Sequence, residues 1–196
     1  MHRRNMVIAL SAAGLAAACG EAIDRANTSP LPDVTVLDAD LTVLKTAFNA
    51  ARDHVRLLFI VGPTCGPCLR GLMETNAALG PTLLSDHRLA TFVVGVPTLG
   101  AQLEHARRAA RLIQGSSVKF YWDPDGAVGT RVERTLAIPE YAWDVWLTYA
   151  PGPVWEGETP PPPAAWMHQL GGLQQGVRLD ADALARDVRS RVEHIA

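Results

Sequence analysis

Residues 55–69, VRLLFIVGPTCGPCL, join an unbroken apolar run to a Gly-Pro breaker and then to two cysteines separated by Gly66 and Pro67. The run Val55–Val61 suits a central strand covered on both faces better than an edge strand with one wet face. Cys65 then falls at the turn from strand to helix, and Leu69-Arg70-Gly71-Leu72-Met73-Glu74 continues a helix predicted over Gly66–Leu79. A thiol at a helix N-terminus meets unpaired backbone N–H groups and the positive end of the helix dipole, which favour its thiolate form. Cys65 is therefore the expected nucleophile. Cys68, one turn further in, is the less exposed thiol and lies close enough to close a disulfide with it.

CxxC spacing is also zinc-ligand spacing. Against a zinc site stand the cysteine count of three, the lack of a second CxxC, and the absence of ligand spacing among His54, His87, His105 and His168. No metal ligand set is assigned. Cys65-Gly66-Pro67-Cys68 resembles the thioredoxin superfamily and is identical to the CGPC of thioredoxin itself. Two neighbours differ: Thr64 stands where thioredoxin has a Trp, and Phe59 stands where it has a buried Asp. The resemblance implies a thiol–disulfide oxidoreductase with no cofactor beyond the Cys65–Cys68 couple, in which Thr64, Gly66 and Pro67 contact substrate. The Gly-Pro pair resembles the reducing end of the superfamily, implying a reductant of protein disulfides. Two rival readings remain. A peroxiredoxin-type peroxidase is disfavoured because Gly62 stands where its Thr would be expected. A metal-delivery or assembly protein of the same fold would use Cys65 and Cys68 to hold Cu(I), as soft thiolates can.

With 196 residues the chain can bury one good core, and no internal repeat is visible. Its 20 acidic and 18 basic residues give a net charge of −2, without the basic patch that nucleic-acid binding requires. Residues 1–18 read as a signal peptide, with Arg3 and Arg4 ahead of an apolar stretch from Met6 to about Ala18. Leu15-Ala16-Ala17-Ala18-Cys19 resembles a bacterial lipobox, which implies lipidation at Cys19; the alternative is an ordinary signal peptide that leaves Cys19 as a spare thiol. Residues 19–32, ending in Ser29-Pro30-Leu31-Pro32, read as a tether, and 33–196 as the folded domain. The expected location is periplasmic or extracytoplasmic, with a lipid anchor in a bacterial membrane. The implied partners are client proteins with disulfides and a membrane electron donor.

Within the domain the expectation is an α/β thioredoxin-like fold: a mixed central sheet flanked by helices. A first strand, Val34–Leu37, precedes a helix near Leu41–Asp53 capped by Asp38 or Asp40. Leu89–Val96 is a second buried strand, followed by a helix over Gln102–Gln114. Val118–Trp122 and Ala127–Leu136 then form a strand-helix unit inserted before the next strand, which resembles the TlpA-like and peroxiredoxin-related branch of the superfamily. In that branch a cis-proline faces the dithiol. Of Pro97 and Pro139, the pair Ile138-Pro139 matches thioredoxin's Ile-Pro, so Pro139 is the expected catalytic proline and Ile138 the expected substrate-binding residue beside it.

On the strand near Trp143–Tyr149, Asp144, Trp146 and Thr148 share one face and Trp143, Val145, Leu147 and Tyr149 the other. Asp144 either replaces the missing buried acid near Cys68 or is solvated or hydrogen-bonded locally. Gly152–Trp155 is expected to return as a hairpin strand. A Pro-rich insertion at about 157–176 contains Thr159-Pro160-Pro161-Pro162-Pro163, which should end sheet pairing. Trp155, Trp166, Met167 and His168 are either a substrate lip or, on the preferred reading, anchors pinning that loop to the core. Asp180 caps a final amphipathic helix, Ala181–Ile195.

Overall fold

The computed structural model describes residues 32–195. The predicted signal segment, Cys19 and the tether up to residue 31 lie outside the described residues. The strands are β1 (Thr35–Val36), β2 (Val55–Val61), β3 (Leu89–Gly95), β4 (Val118–Trp122), β5 (Asp144–Tyr149), β6 (Ala165–His168) and β7 (Val177–Arg178). They form one sheet in the order β1-β4-β3-β2-β5-β6-β7. The pairs from β1 to β2 are parallel, β2 with β5 and β5 with β6 are antiparallel, and β6 with β7 is parallel. The helices are α1 (Thr42–Ala50), α2 (Gly66–Leu83), α3 (Leu103–Ala109), α4 (Ala127–Leu136) and α5 (Ala181–Glu193).

Every residue of β2 is buried because helices cover both faces of the sheet. Phe59 and Val61 meet α2, α3 and α5 through Cys68, Leu72, Ala106, Leu184 and Val188. Leu58 and Ile60 meet α1 and α4 through Leu44, Phe48, Val128 and Val132. This is the expected α/β architecture, a mixed central sheet flanked by helices, with β4 and α4 as the inserted unit. The insertion places β4 between β1 and β3, so β2 keeps its central position between β3 and β5.

Several local expectations change. Asp38, not Asp40, holds the start of α1, its Oδ1 accepting from Thr42 N–H at 2.9 Å. Gly80-Pro81 does break the helix as expected, Gly80 taking φ 72°, ψ 165°, but a further helical turn follows to Leu83, so α2 is two helical pieces that meet at a kink. The helix expected to reach Gln114 stops at Ala109, and the chain is then drawn onto the end of α2, where Ser117 N–H donates to Leu84 O at 3.0 Å.

Gly152–Trp155 forms no strand. Arg56 reaches from β2 to donate to Pro153 O at 2.7 Å and Ala150 O at 2.9 Å, and Asn49 exchanges two hydrogen bonds with the backbone of Trp155. These contacts hold the stretch as a loop, exposed at residues 152–154 and anchored by the buried Trp155. The chain does rejoin the sheet after the prolines, as β6, and pairs with β5 where the sequence pattern suggested that pairing would stop. Trp155 and His168 are buried, and Met167 packs onto the core that contains the dithiol, so these side chains anchor the segment.

Candidate dithiol site

β2 delivers the chain to Gly62-Pro63-Thr64, and Cys65 N–H donates to Gly62 O at 2.9 Å, closing the turn that starts α2. Cys65 is the N-cap of α2, with extended backbone (φ −85°, ψ 119°). Its Sγ accepts from the N–H of Cys68 at 3.3 Å, the role a serine or aspartate oxygen usually fills. Pro67 sits in the first helical turn, where a missing N–H removes no helical hydrogen bond. Both thiols are free. Cys65 is 5% exposed and Cys68 0%, so the predicted order of accessibility holds, within a site that is largely closed.

Gly62 permits the close packing here. A Cβ at that position would lie 2.6 Å from Thr98 Oγ1, 3.0 Å from the Trp143 ring and 3.2 Å from Cys65 Cβ. Thr64 Oγ1 donates to the carbonyls of Thr98 and Leu99 at 3.2 and 3.3 Å, tying the turn before Cys65 to the short helical turn Thr98–Gly100. Gly66 and Pro67 are exposed beside the sulfurs. On the other side, the thiol of Cys68 points at Trp143 O, 3.8 Å away.

The proline assignment requires correction. None of the described peptide bonds is cis, so Ile138–Pro139 and the bond before Pro97 are both trans. Ile138 is buried on the opposite face of the sheet from the dithiol, and Pro139 lines a surface recess with Glu140 and Gly172–Gln175. The cause is the length of the connection between α4 and β5. Residues 139–143 are spent crossing the end of the sheet, fastened by Tyr141 Oη donating to Gly126 O at 2.9 Å, so Trp143 is the residue that reaches the dithiol. Trp143 and Thr98 were not identified from the sequence. Their placement depends on how far a connection runs before its strand begins, and no local motif encodes that.

Asp144 is brought to the site by register. It pairs with Val61, the last residue of β2, while Trp146 pairs with Phe59. Phe59 and Trp146 pack with ring centroids 6.2 Å apart, filling with aromatics the level where the resemblance would place an acid. Asp144 lies one same-face step nearer the helix, 3% exposed, and a carboxylate oxygen and both cysteine Sγ atoms all lie within 4.8 Å of one another. Its Oδ1 has no hydrogen-bond partner. Burial pushes its carboxyl up to about 6, against the opposing effects of the Cys68 thiol and the more distant Arg178. Burial also pushes the Cys68 thiol far up, reinforced by the charge of Asp144 and by the contact with Cys65. Of the alternatives for Asp144, the structure selects the buried position beside Cys68.

No protein-family model matches the chain, and no curated protein matches it. Among solved structures it is similar to a secreted Mycobacterium tuberculosis disulfide oxidoreductase homologous to E. coli DsbE, with 8% identity, a TM-score of 0.46, and 72% of this chain and 84% of that chain covered. It is also similar to the reduced N-terminal domain of PilB from N. meningitidis, with 18% identity, a TM-score of 0.34, and 70% and 82% of the two chains covered. Neither likeness bears on chemistry, which the residues themselves must supply.

Proposed function

We propose that this chain is an extracytoplasmic thiol–disulfide oxidoreductase that reduces disulfides in client proteins. The observation that carries this reading is the pair of free thiols at the start of α2, one accepting a backbone N–H at the surface edge and the other buried behind it. Cys65 attacks a client disulfide and forms a mixed disulfide; Cys68 then attacks Cys65 Sγ, and the client leaves reduced. Thr64, Gly66 and Pro67 border the thiols and would meet the client. The leader pattern and Cys19 support export and a lipid anchor, and a reductant in an oxidising compartment requires a membrane electron donor. No described helix is long and apolar enough to cross a membrane.

The test is a trap. In full-length chains carrying Cys19→Ser behind an ordinary export signal, Cys68→Ser should accumulate adducts on nonreducing gels that dissolve with dithiothreitol. Cys65→Ser and the double variant should show none. Absence of adducts, together with stoichiometric copper on the wild type and none on either single variant, would instead assign a Cu(I) carrier.

A further inference from the structure

We propose that Asp144 is a catalytic residue of this site: its carboxylate takes the proton from Cys68 as the mixed disulfide is resolved. The proposal rests on the oxidoreductase reading and names the group that the reading leaves open. Cys68 is fully buried, so bulk water does not reach its proton directly. Two oxygen acceptors face the thiol: the carbonyl of Trp143, which cannot hold a proton at working pH, and the carboxylate of Asp144. Asp144 Oδ1 is buried with no hydrogen-bond partner, a costly arrangement in a group that serves only structure. Among the described residues the charged side chain that acts on it is Arg178 of β7.

The step balances. With Cys65 in a disulfide to the client, the S–H proton of Cys68 passes to the Asp144 carboxylate, and the resulting thiolate forms a bond to Cys65 Sγ. The bond from Cys65 to the client sulfur breaks with its electron pair on the client, which leaves as a thiolate and takes a proton from solvent. The dithiol has lost two electrons, the client disulfide has gained them, and Asp144 then returns its proton to solvent. The order of events has a cause as well. Contact with Cys65 is one of the influences holding the proton on Cys68. Once Cys65 is bonded to a client that influence is removed, which eases the loss of the Cys68 proton at the stage when there is a bond to attack, while burial, the largest influence, remains. A carboxyl near 6 is ionised at neutral pH and still basic enough to accept, which suits a general base working there.

The test uses the full chain with Cys19→Ser, leaving two thiols, and the chromogenic disulfide 5,5′-dithiobis(2-nitrobenzoate). Attack by Cys65 releases one coloured thiolate and resolution by Cys68 releases the second, so stopped-flow absorbance separates the steps. For Asp144→Asn the second phase should slow by about a hundredfold relative to the first, with Asp144→Glu recovering part of the loss. In the wild type the second phase should show an inflection as pH drops through about 6. Equal slowing of both phases, or an unchanged second phase, would overturn the role of Asp144 and leave the oxidoreductase standing. A wild type that releases neither equivalent would overturn the oxidoreductase reading itself. If Asp144→Asn does not fold, the wild-type profile decides: that inflection in the second phase supports the proposal, and a second phase without it refutes it.

Discussion

The two ends of the β2–β5 ladder each bury one side chain that is charged at neutral pH, and they treat it in opposite ways. At one end Arg56, opposite Tyr149, is fully buried, and among the described residues no carboxylate hydrogen-bonds to it. Its guanidinium donates to the carbonyls of Phe48, Ala150 and Pro153 and lies 4.3 Å from the centre of the Phe48 ring. At the other end Asp144, opposite Val61, keeps an oxygen that nothing answers. A buried charge answered by several fixed dipoles holds chain segments together, whereas one left partly unanswered is held ready to change its protonation state. The Arg56 end closes the 150–155 loop onto α1. The Asp144 end faces the dithiol.

Breaking the first arrangement should have the larger effect. Arg56→Met keeps most of the apolar stem but leaves three carbonyls without their donor, so the free energy of unfolding should fall by about 3–5 kcal/mol. Urea unfolding measures that loss. The rate at which Cys65 of the folded fraction reacts with iodoacetamide should stay unchanged, because the site lies at the opposite end of the ladder. A variant as stable as wild type would show that Arg56 is not what fastens the loop.

The second arrangement should show itself as a slope against pH. The Asp144 carboxyl is raised in the folded protein from an ordinary 3.8 to about 6. The folded state therefore binds more protons than the unfolded state between those values, and stability falls as pH rises through that window. Below about 4 both states are protonated and nothing is lost; above about 6 the full cost, about 3 kcal/mol, is present. Relative to Asp144→Asn, the wild type should lose that amount between pH 4 and pH 7, as read from unfolding midpoints at constant denaturant slope. Parallel pH profiles for the two proteins would mean that the carboxyl is not desolvated.

How much of this was legible beforehand depends on how local the cause is. The buried strand Val55–Val61, the helix start at Cys65 and the inserted unit Val118–Leu136 follow from runs, breakers and spacing within a short window. The face on which Asp144 lies was also legible, from simple alternation with Trp146 and Thr148. What places Asp144 beneath Cys68 is the pairing of Val61 with Asp144, residues far apart in the chain whose register is set by the length of the 137–143 connection. The same connection defeated the assignment of Pro139, since an Ile-Pro pair suggests a strand start, but here the strand begins later. Arg56 was illegible for the same reason: inside an apolar run, a charged residue shows its partners only when the 150–155 loop closes over it.

The smallest predicted effect tests whether the contrast between the two ends is as sharp as the hydrogen bonds make it. Tyr149 sits across from Arg56, fully buried, with its ring edge-on to Phe48 at 5.0 Å between centroids, and its hydroxyl has no partner. Burial holds that hydroxyl protonated well above the usual tyrosine range, so it carries no charge to complement the guanidinium. The ring then packs and the oxygen only costs desolvation. Tyr149→Phe should therefore leave stability unchanged or raise it by up to about 1 kcal/mol, with no effect on either phase of thiol release. A loss above about 1 kcal/mol would show that the hydroxyl has a partner in solution, a water or the Arg56 Nε, which also lacks one. The Arg56 end would then be better satisfied than the hydrogen bonds among the described residues make it, and the unpartnered oxygen of Asp144 would stand out further as the group kept free to react.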